Sequence, residues 1–261
     1  VMGTVKLLLK CRDNGSLNDI SHKLGDFVRT NSEAILGVKL NKAPAEDFTK
    51  GIAISAGFYP DENTHIETVR YGKGQTAMAF LTTFLPDRNI PLPNLIRWGI
   101  SVVRHPLQFI TNLFPFNWAK KTIILVVMQP VSNYLKFNYK PRWWRLGGWS
   151  MNSQSNTGEK IPSHIPLGEK TAQNIIRKTG GTIMTTYMDS IFDIPTTAHI
   201  LGGACLGENK DVGVINENFE LFNYPGMYVI DGSVIPSNLG VNPSLTITAL
   251  AEYAMSRFPE A

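Results

Sequence analysis

The sequence of 261 residues predicts a mixed fold, α+β in its middle and α/β at its end, and three stretches carry that prediction. From Gly51 the apolar residues alternate, with Ile52, Ile54, Ala56 and Phe58 on one face, before a Pro60-Asp61-Glu62-Asn63 turn and a return run over residues 66–71. Two further β-prone runs, residues 122–129 and 133–138, make the middle of the chain rich in antiparallel sheet. Near the end, the apolar run 227–230 stops at Asp231-Gly232, and a helical pattern follows over about 243–258, giving a strand-loop-helix unit.

The other elements follow from local signals. Residues 4–11 read as a short helix with apolar Val5, Leu7, Leu8 and Leu9, uncapped at its start and stopped by Asp13-Asn14-Gly15-Ser16. A second helical pattern covers about 16–28, and the polar Arg29-Thr30-Asn31-Ser32-Glu33 then leads into apolar residues 34–38 as a crossover between regions. The segment 92–119, which begins at Leu92 and ends at Ala119, is apolar, carries Arg97, Trp98, Arg104 and Trp118, and is broken by Pro106 and Pro115. Such a stretch rests on a membrane surface, forms a lid over an apolar pocket, or packs on the sheet as a helical pair; the helical pair is the expectation. The cluster Arg142-Trp143-Trp144-Arg145 and a Gly147-Gly148 break close the strand-rich region. Residues 167–178 form a helix with Ala172, Ile175 and Ile176 on one side, ended by Gly180-Gly181, and a strand over 183–188 follows.

Composition narrows the function classes. With 43% hydrophobic and 18% charged residues the chain has ample material for a core, so disorder is not expected. A net charge of +4 from scattered Lys and Arg lacks the basic stripe of a nucleic-acid binder. The two cysteines, Cys11 and Cys205, are far apart and without metal-ligand spacing; both read as structural and fit a reducing, cytoplasmic setting. No apolar run reaches the ~18 residues of a spanning helix, and Val1-Met2-Gly3-Thr4 has no signal-peptide order. The N-terminus reads as an abrupt start inside a larger protein.

The chemistry concentrates in the last sixty-odd residues. His199 sits between apolar neighbours just before Gly202-Gly203, where the backbone can bend sharply or admit a ligand; taken alone it reads more often as a satisfied core histidine. The other histidines, His22, His65, His105 and His164, have no comparable setting, and no paired metal site is present in the pattern. Asp231 accepts hydroxyl hydrogen bonds from a cofactor chain or makes an Asx turn before Gly232. Pro243 suits a first helical position, with Asn242 before it as a cap. The same helix tip, through its free N–H groups, would also stabilise an anion.

Taken in order, His199 with Gly202-Gly203, Asp231-Gly232-Ser233 with Pro236, and Gly240-Val241-Asn242-Pro243 with Thr246-Ile247-Thr248-Ala249 resemble the C-terminal signature of glucose-methanol-choline (GMC) oxidoreductases. Asn242, where many members carry a second histidine, is similar to the cholesterol-oxidase-like subgroup. Met2-Gly3-Thr4 followed by Leu7-Leu8-Leu9 resembles the end of the family's Gly-Ala-x-x-(Ser/Thr) segment. Ile200 stands where many members have proline.

The resemblance implies the C-terminal part of an FAD/NAD(P)-binding-type domain that completes a parallel sheet, with an inserted antiparallel-sheet substrate domain. Residues 1–33 would end the FAD-binding region, 34–192 form the substrate domain, and 193–261 return to the FAD domain with the active site. The cofactor implied is FAD. His199 would act as base toward a substrate hydroxyl, and Asn242 would orient that hydroxyl or the flavin edge, with hydride passing to flavin N5. Asp231 and Gly232 would lie along the ribityl chain, and the backbone of Asn242, Pro243 and Ser244 would face the pyrimidine end. The substrate would be a bulky apolar alcohol, sterol-like, with oxygen or another carrier as electron acceptor. Isomerisation is not expected, because no matching substrate-domain glutamate can be placed. The family's Gly-x-Gly-x-x-Gly loop is missing from these residues, since Gly72-Lys73-Gly74 lacks the third glycine. The 261 residues alone are therefore expected to be inactive and poorly soluble. The rival reading is a lipid-binding or membrane-associating module with a degenerate flavin site, motivated by residues 92–119.

Overall fold

A computed structural model of the chain describes residues 1–42, 44–141, 148–155 and 161–258. In chain order its first elements are α1 (Met2–Asp13), β1 (Ala34–Lys39), β2 (Ile54–Asp61), β3 (Thr64–Val69), a 3₁₀ turn (Gln75–Leu81), β4 (Thr82–Phe84), α2 (Asn94–Arg104), α3 (Pro106–Leu113) and α4 (Trp118–Lys121). They are followed by β5 (Thr122–Met128), β6 (Leu135–Pro141), β7 (Trp149–Ser155), α5 (Pro166–Thr179), β8 (Thr182–Thr186), α6 (Tyr187–Phe192), a 3₁₀ turn (Gly232–Val234) and α7 (Ser244–Ser256). The chain divides into two compact units, Val1–Ser32 with Gln129–Ile161 and Ala198–Ala261, and Glu33–Met128 with Pro162–Thr197. Residues 129–161, which the sequence reading set within the 34–192 substrate domain, cluster with the first unit.

The second unit is built on a six-stranded sheet in the order β2-β3-β5-β1-β8-β4, with every pairing antiparallel. Its centre is β5, whose sequence TIILVVM is β-branched and apolar on both faces. On one face Leu125 and Val127 join Leu36, Val38 and Ile66 against Ile165 and Ala172. On the other, Ile124, Val126 and Met128 pack on Ala79, Trp118 and Ala119. Helix α5 approaches the first face closely at Gly168, where a Cβ would lie 2.6 Å from Val127 Cγ2, so a larger residue would lift the helix. The predicted hairpin is β2 and β3; β2 forms the sheet edge, and all of its residues are exposed. The expected helical pair is also present. Helices α2 and α3 break at Pro106, and Trp98 anchors them to the sheet by donating Nε1–H to Thr83 Oγ1 at 2.7 Å.

Strand β8 is shorter than expected because α6 begins at Tyr187. The Thr186-Tyr187-Met188-Asp189 sequence supplies the cap, Asp189 N–H donating to Thr186 Oγ1 at 3.2 Å. Asp189 is in turn held by Arg88, whose Nη2 lies 2.8 Å from it while Nε lies 3.0 Å from Glu169. All three side chains are at most 15% exposed. The two carboxylates are compensated by one guanidinium.

In the first unit, α1 buries Val5, Leu8 and Leu9 against Leu24, Val28, Leu201, Ile215, Phe219 and Val234. Strands β6 and β7 form an antiparallel hairpin. The Arg142-Trp143-Trp144-Arg145 cluster and Gly147 lie outside the described residues. Two expectations fail here. Residues 16–28 form turns, not a helix, because Gly25 has φ +90° and pairs across the fold, donating to Gly203 O at 2.7 Å and accepting from Phe137 N at 2.8 Å. Residues 227–230 form no strand; Tyr228 makes one isolated antiparallel bridge with Glu220. Among the described residues both sheets are antiparallel, and parallel pairing is limited to the isolated bridge Leu206↔Ile215.

Replacing Arg88 with Ala would leave Glu169 and Asp189 buried without their cation. The expected loss is about 3–5 kcal/mol of folding stability, read as a lower denaturant midpoint. A midpoint unchanged from the parent would refute the triad as a stabilising core of this unit.

Candidate active site

All sequence-predicted site residues fall in the first unit: His199, Asp231, Gly232, Asn242, Pro243 and Ser244. Two of the three segments that carry them are joined by backbone hydrogen bonds. Gly202 N–H donates to Gly232 O and Ala204 N–H to Ser233 O, both at 2.9 Å, which ties the His199 loop to the Asp231 turn. Gly202 must be glycine: its φ is +73°, and a Cβ there would sit 2.0 Å from Phe27 O. A Cβ on Gly232 would touch Ile247 Cδ1 at 3.2 Å and Leu201 Cδ2 at 3.4 Å, so this turn packs between α7 and the His199 loop.

The segment that fastens these loops was read in sequence only as a polar crossover. Arg29 N–H donates to Leu201 O at 2.8 Å and Leu201 N–H returns to Arg29 O at 3.0 Å, fixing the chain two residues after His199. The Arg29 side chain donates Nε–H to Pro236 O at 2.7 Å and Nη1–H to Asn133 O at 2.9 Å, with its guanidinium 4.9 Å from the Tyr134 ring centre. Asn31 Oδ1 accepts from Gly240 N at 2.8 Å and its Nδ2 donates to Val241 O at 2.9 Å, fixing the chain just before Asn242. Asn133 donates to Ser32 Oγ at 3.0 Å, and Asn238 donates to Asn133 Oδ1 at 3.0 Å and Val131 O at 2.6 Å. Arg29, Asn31, Asn133 and Asn238 are all buried. Sequence reasoning missed them; the available signal was an Arg and an Asn two apart in a segment with no helical or strand period.

His199 and Asn242 are both half-buried. Asn242 is not the helix cap. That position falls to Pro243, which has no side-chain acceptor, and α7 runs from Ser244. Ser244, Leu245 and Thr246 therefore present N–H groups that the helix itself does not use. Helix α7 packs inward through Ile247, Leu250 and Ala254, and Phe258 packs on Tyr228 in a tilted pair with ring centres 4.3 Å apart.

Asp231 makes the Asx turn: its Oδ1 accepts from Ser233 N at 2.9 Å and from Ser233 Oγ. Its Oδ2 accepts from Thr4 Oγ1 at 2.6 Å and from the Val1 nitrogen at 3.0 Å. Burial disfavours the ionised carboxyl, but the hydrogen bonds from Ser233 and Thr4 outweigh it and hold the pKa down from 3.8 to about 2. Cys205 differs: burial pushes its thiol up to about 11, so it is a packed thiol and not a nucleophile at neutral pH.

Residues 160–251 match the family model described as GMC oxidoreductase. The chain carries the C-terminal domain of that family over those residues. Over 258 residues it is 37% identical to a cholesterol oxidase of Acinetobacter baumannii, covering 99% of this chain and 46% of that protein. Over 262 aligned positions it is 40% identical to a cholesterol oxidase of Mycobacterium tuberculosis, covering 98% of this chain and 45% of the relative. A long-chain-alcohol oxidase of Arabidopsis thaliana is 34% identical over 83 residues, 32% of this chain and 10% of that protein. The chain thus spans a little under half the length of the cholesterol oxidases it matches.

The depressed pKa of Asp231 fixes a sign. Its contribution to folding is complete above its ordinary value of 3.8 and is lost as pH falls through about 2. Asp231→Asn is expected to flatten the acid loss of stability across that window, as followed by chemical denaturation at stepped pH. An acid profile identical to the parent would show that the turn does not hold the carboxylate as described.

Proposed function

We propose that this chain forms the C-terminal portion of an FAD-dependent GMC oxidoreductase that oxidises the CH–OH group of a bulky apolar, sterol-like alcohol. The observation that carries the reading is that the His199 loop and the Asn242 loop, about forty residues apart in sequence, are fastened to one short segment around Arg29 and Asn31. Identity to cholesterol oxidases along nearly the whole chain supports the substrate class. The 34% identity to a long-chain-alcohol oxidase keeps the preference at apolar alcohols rather than one sterol.

The residues present fit FAD on one count. The tip of α7 carries no side-chain cap, so its N–H groups and partial positive charge remain available to the electron-rich pyrimidine end of a flavin ring. Asp231 and Gly232 would follow the ribityl chain, a cofactor hydroxyl replacing one of the four donors now on Asp231. FAD, when bound, supplies the acceptor for the hydride that leaves the carbinol carbon. His199 takes the hydroxyl proton as base, and the Asn242 carboxamide orients that hydroxyl. The electron acceptor that follows is oxygen or another carrier. The parallel sheet of the FAD domain would be completed by the remainder of the parent protein.

One observation favours a second role for residues 92–119, a peripheral contact with lipid. Val103 is 78% exposed, Leu107 77% and Phe116 86%, and residues 91–121 contain four Lys or Arg and no Asp or Glu. A cationic, apolar face of this kind fits an anionic lipid surface, from which a sterol or long-chain alcohol would be drawn. Cytoplasmic residence is proposed with it, on the two unbridged cysteines.

In the full-length protein, His199→Asn should retain flavin absorption while slowing anaerobic flavin reduction by a sterol alcohol about 10²–10⁴-fold. Unchanged reduction would remove His199 from the mechanism, and a parent protein whose flavin no alcohol bleaches would end the oxidoreductase reading. For the lipid contact, the pair Leu107→Asp and Phe116→Asp is expected to abolish co-sedimentation with phosphatidylserine-containing vesicles. Parent protein that stays in the supernatant with such vesicles would sink that role.

A further inference from the structure

Asn31 has a burial and geometry that a crossover residue does not need. It is fully buried at 0% exposure and adopts φ +58°, a region that asparagine enters more readily than most residues. Its carboxamide makes two bonds to one short stretch, accepting from Gly240 N at 2.8 Å and donating to Val241 O at 2.9 Å. Its own backbone oxygen accepts from Gln129 N at 3.2 Å, so the clamp is anchored from behind. On the other side, Gly240 has φ +70°, and a Cβ there would lie 2.9 Å from Pro130 Cδ. The dipeptide before Asn242 is therefore gripped by an amide and bounded by a proline ring. Two residues earlier, Arg29 pairs with Leu201 and sets the loop that carries His199.

We infer that Asn31 is a positioning residue that touches no substrate and acts by holding the Gly240–Val241 peptide in the register that aims Asn242. The inference rests on the reading that Asn242 orients the substrate hydroxyl. Both amide bonds are needed. An acceptor alone leaves Val241 O without its donor, and a donor alone leaves Gly240 N–H without its acceptor; either costs about 1–3 kcal/mol in a buried setting and frees the loop to rotate. Since misplacement of a reacting partner by about 1 Å can cost ~10²-fold in rate, a small rotation at Val241 is enough to be seen in turnover.

The test uses the full-length flavoprotein and two variants. Asn31→Gly tolerates the positive φ but removes both bonds; Asn31→Asp keeps an acceptor for Gly240 and loses the donor to Val241. Each is made alone and with Asn242→Ala, and anaerobic flavin reduction is followed at saturating sterol or long-chain alcohol. The expected result is flavin retained, reduction slowed about 10²-fold in Asn31→Gly and less in Asn31→Asp, and under about twofold further slowing when Asn242 is already Ala. Amide hydrogen exchange at Gly240, a readout independent of turnover, is expected to rise more than about tenfold in Asn31→Gly. Equal slowing in both backgrounds, or unaltered reduction and exchange, would overturn the inference while leaving the function reading intact. Asn242→Ala with parental reduction would instead overturn the role of Asn242 and this inference with it. If neither Asn31 variant yields folded, flavin-loaded protein, the residue serves the fold alone and the inference falls.

Discussion

The candidate site depends on a buried polar segment around Arg29 and Asn31 more than on any hydrophobic contact. Arg29 and Asn31 bind four carbonyl or amide groups of loops that have no regular structure of their own. Irregular backbone can be buried only if its N–H and C=O groups find partners, because each one left without costs about 1–3 kcal/mol. A hydrophobic side chain at either position would fill the space and satisfy none of them. Asn133 and Asn238 extend the same logic, each amide serving groups more than a hundred positions away from its own place in the sequence.

Around that network the electrostatics favour negative charge at one end. The tip of α7 is uncapped, because Pro243 at the cap position before Ser244 has no side-chain acceptor to offer its N–H groups. Asp231, in a separate turn, has its carboxylate held in the ionised form by hydrogen bonds from Ser233 and Thr4. Within one unit, then, a helix N-terminus with open N–H groups and a half-buried histidine and asparagine are held by a rigid frame. Rigid placement of such groups is what acid–base chemistry on an alcohol requires.

The second unit is organised differently. Its sheet is packed on both faces, with Arg88 bridging the carboxylates of Glu169 on α5 and Asp189 on α6. Its edge strand and its helical pair leave apolar side chains exposed, including Phe58 and Phe116. Exposure on this scale is unusual for a surface with no partner, and it is the ground on which a lipid contact is proposed for the α2–α3 face.

The sequence by itself determined the elements whose signal is local. Strand β5 is β-branched on both faces, α5 ends at Gly180, and α7 follows Pro243; each was legible because propensity, period and punctuation agree within a dozen residues. The motifs around His199, Asp231 and Asn242 were legible as words, and with them the family. The cap at Thr186 went unread, because the strand period ahead of it masked the helix it starts. What tertiary structure alone decided were the segments where distant partners outweigh local preference. Residues 16–28 carry a helical pattern yet turn at Gly25, whose amide and carbonyl are taken by Gly203 and Phe137. Residues 227–230 are β-prone but have no neighbouring strand to pair with beyond one bridge at Glu220. The roles of Arg29 and Asn31 were invisible for the same reason, since a buried polar side chain gets its meaning from the groups it satisfies, and those lie more than a hundred positions along the chain.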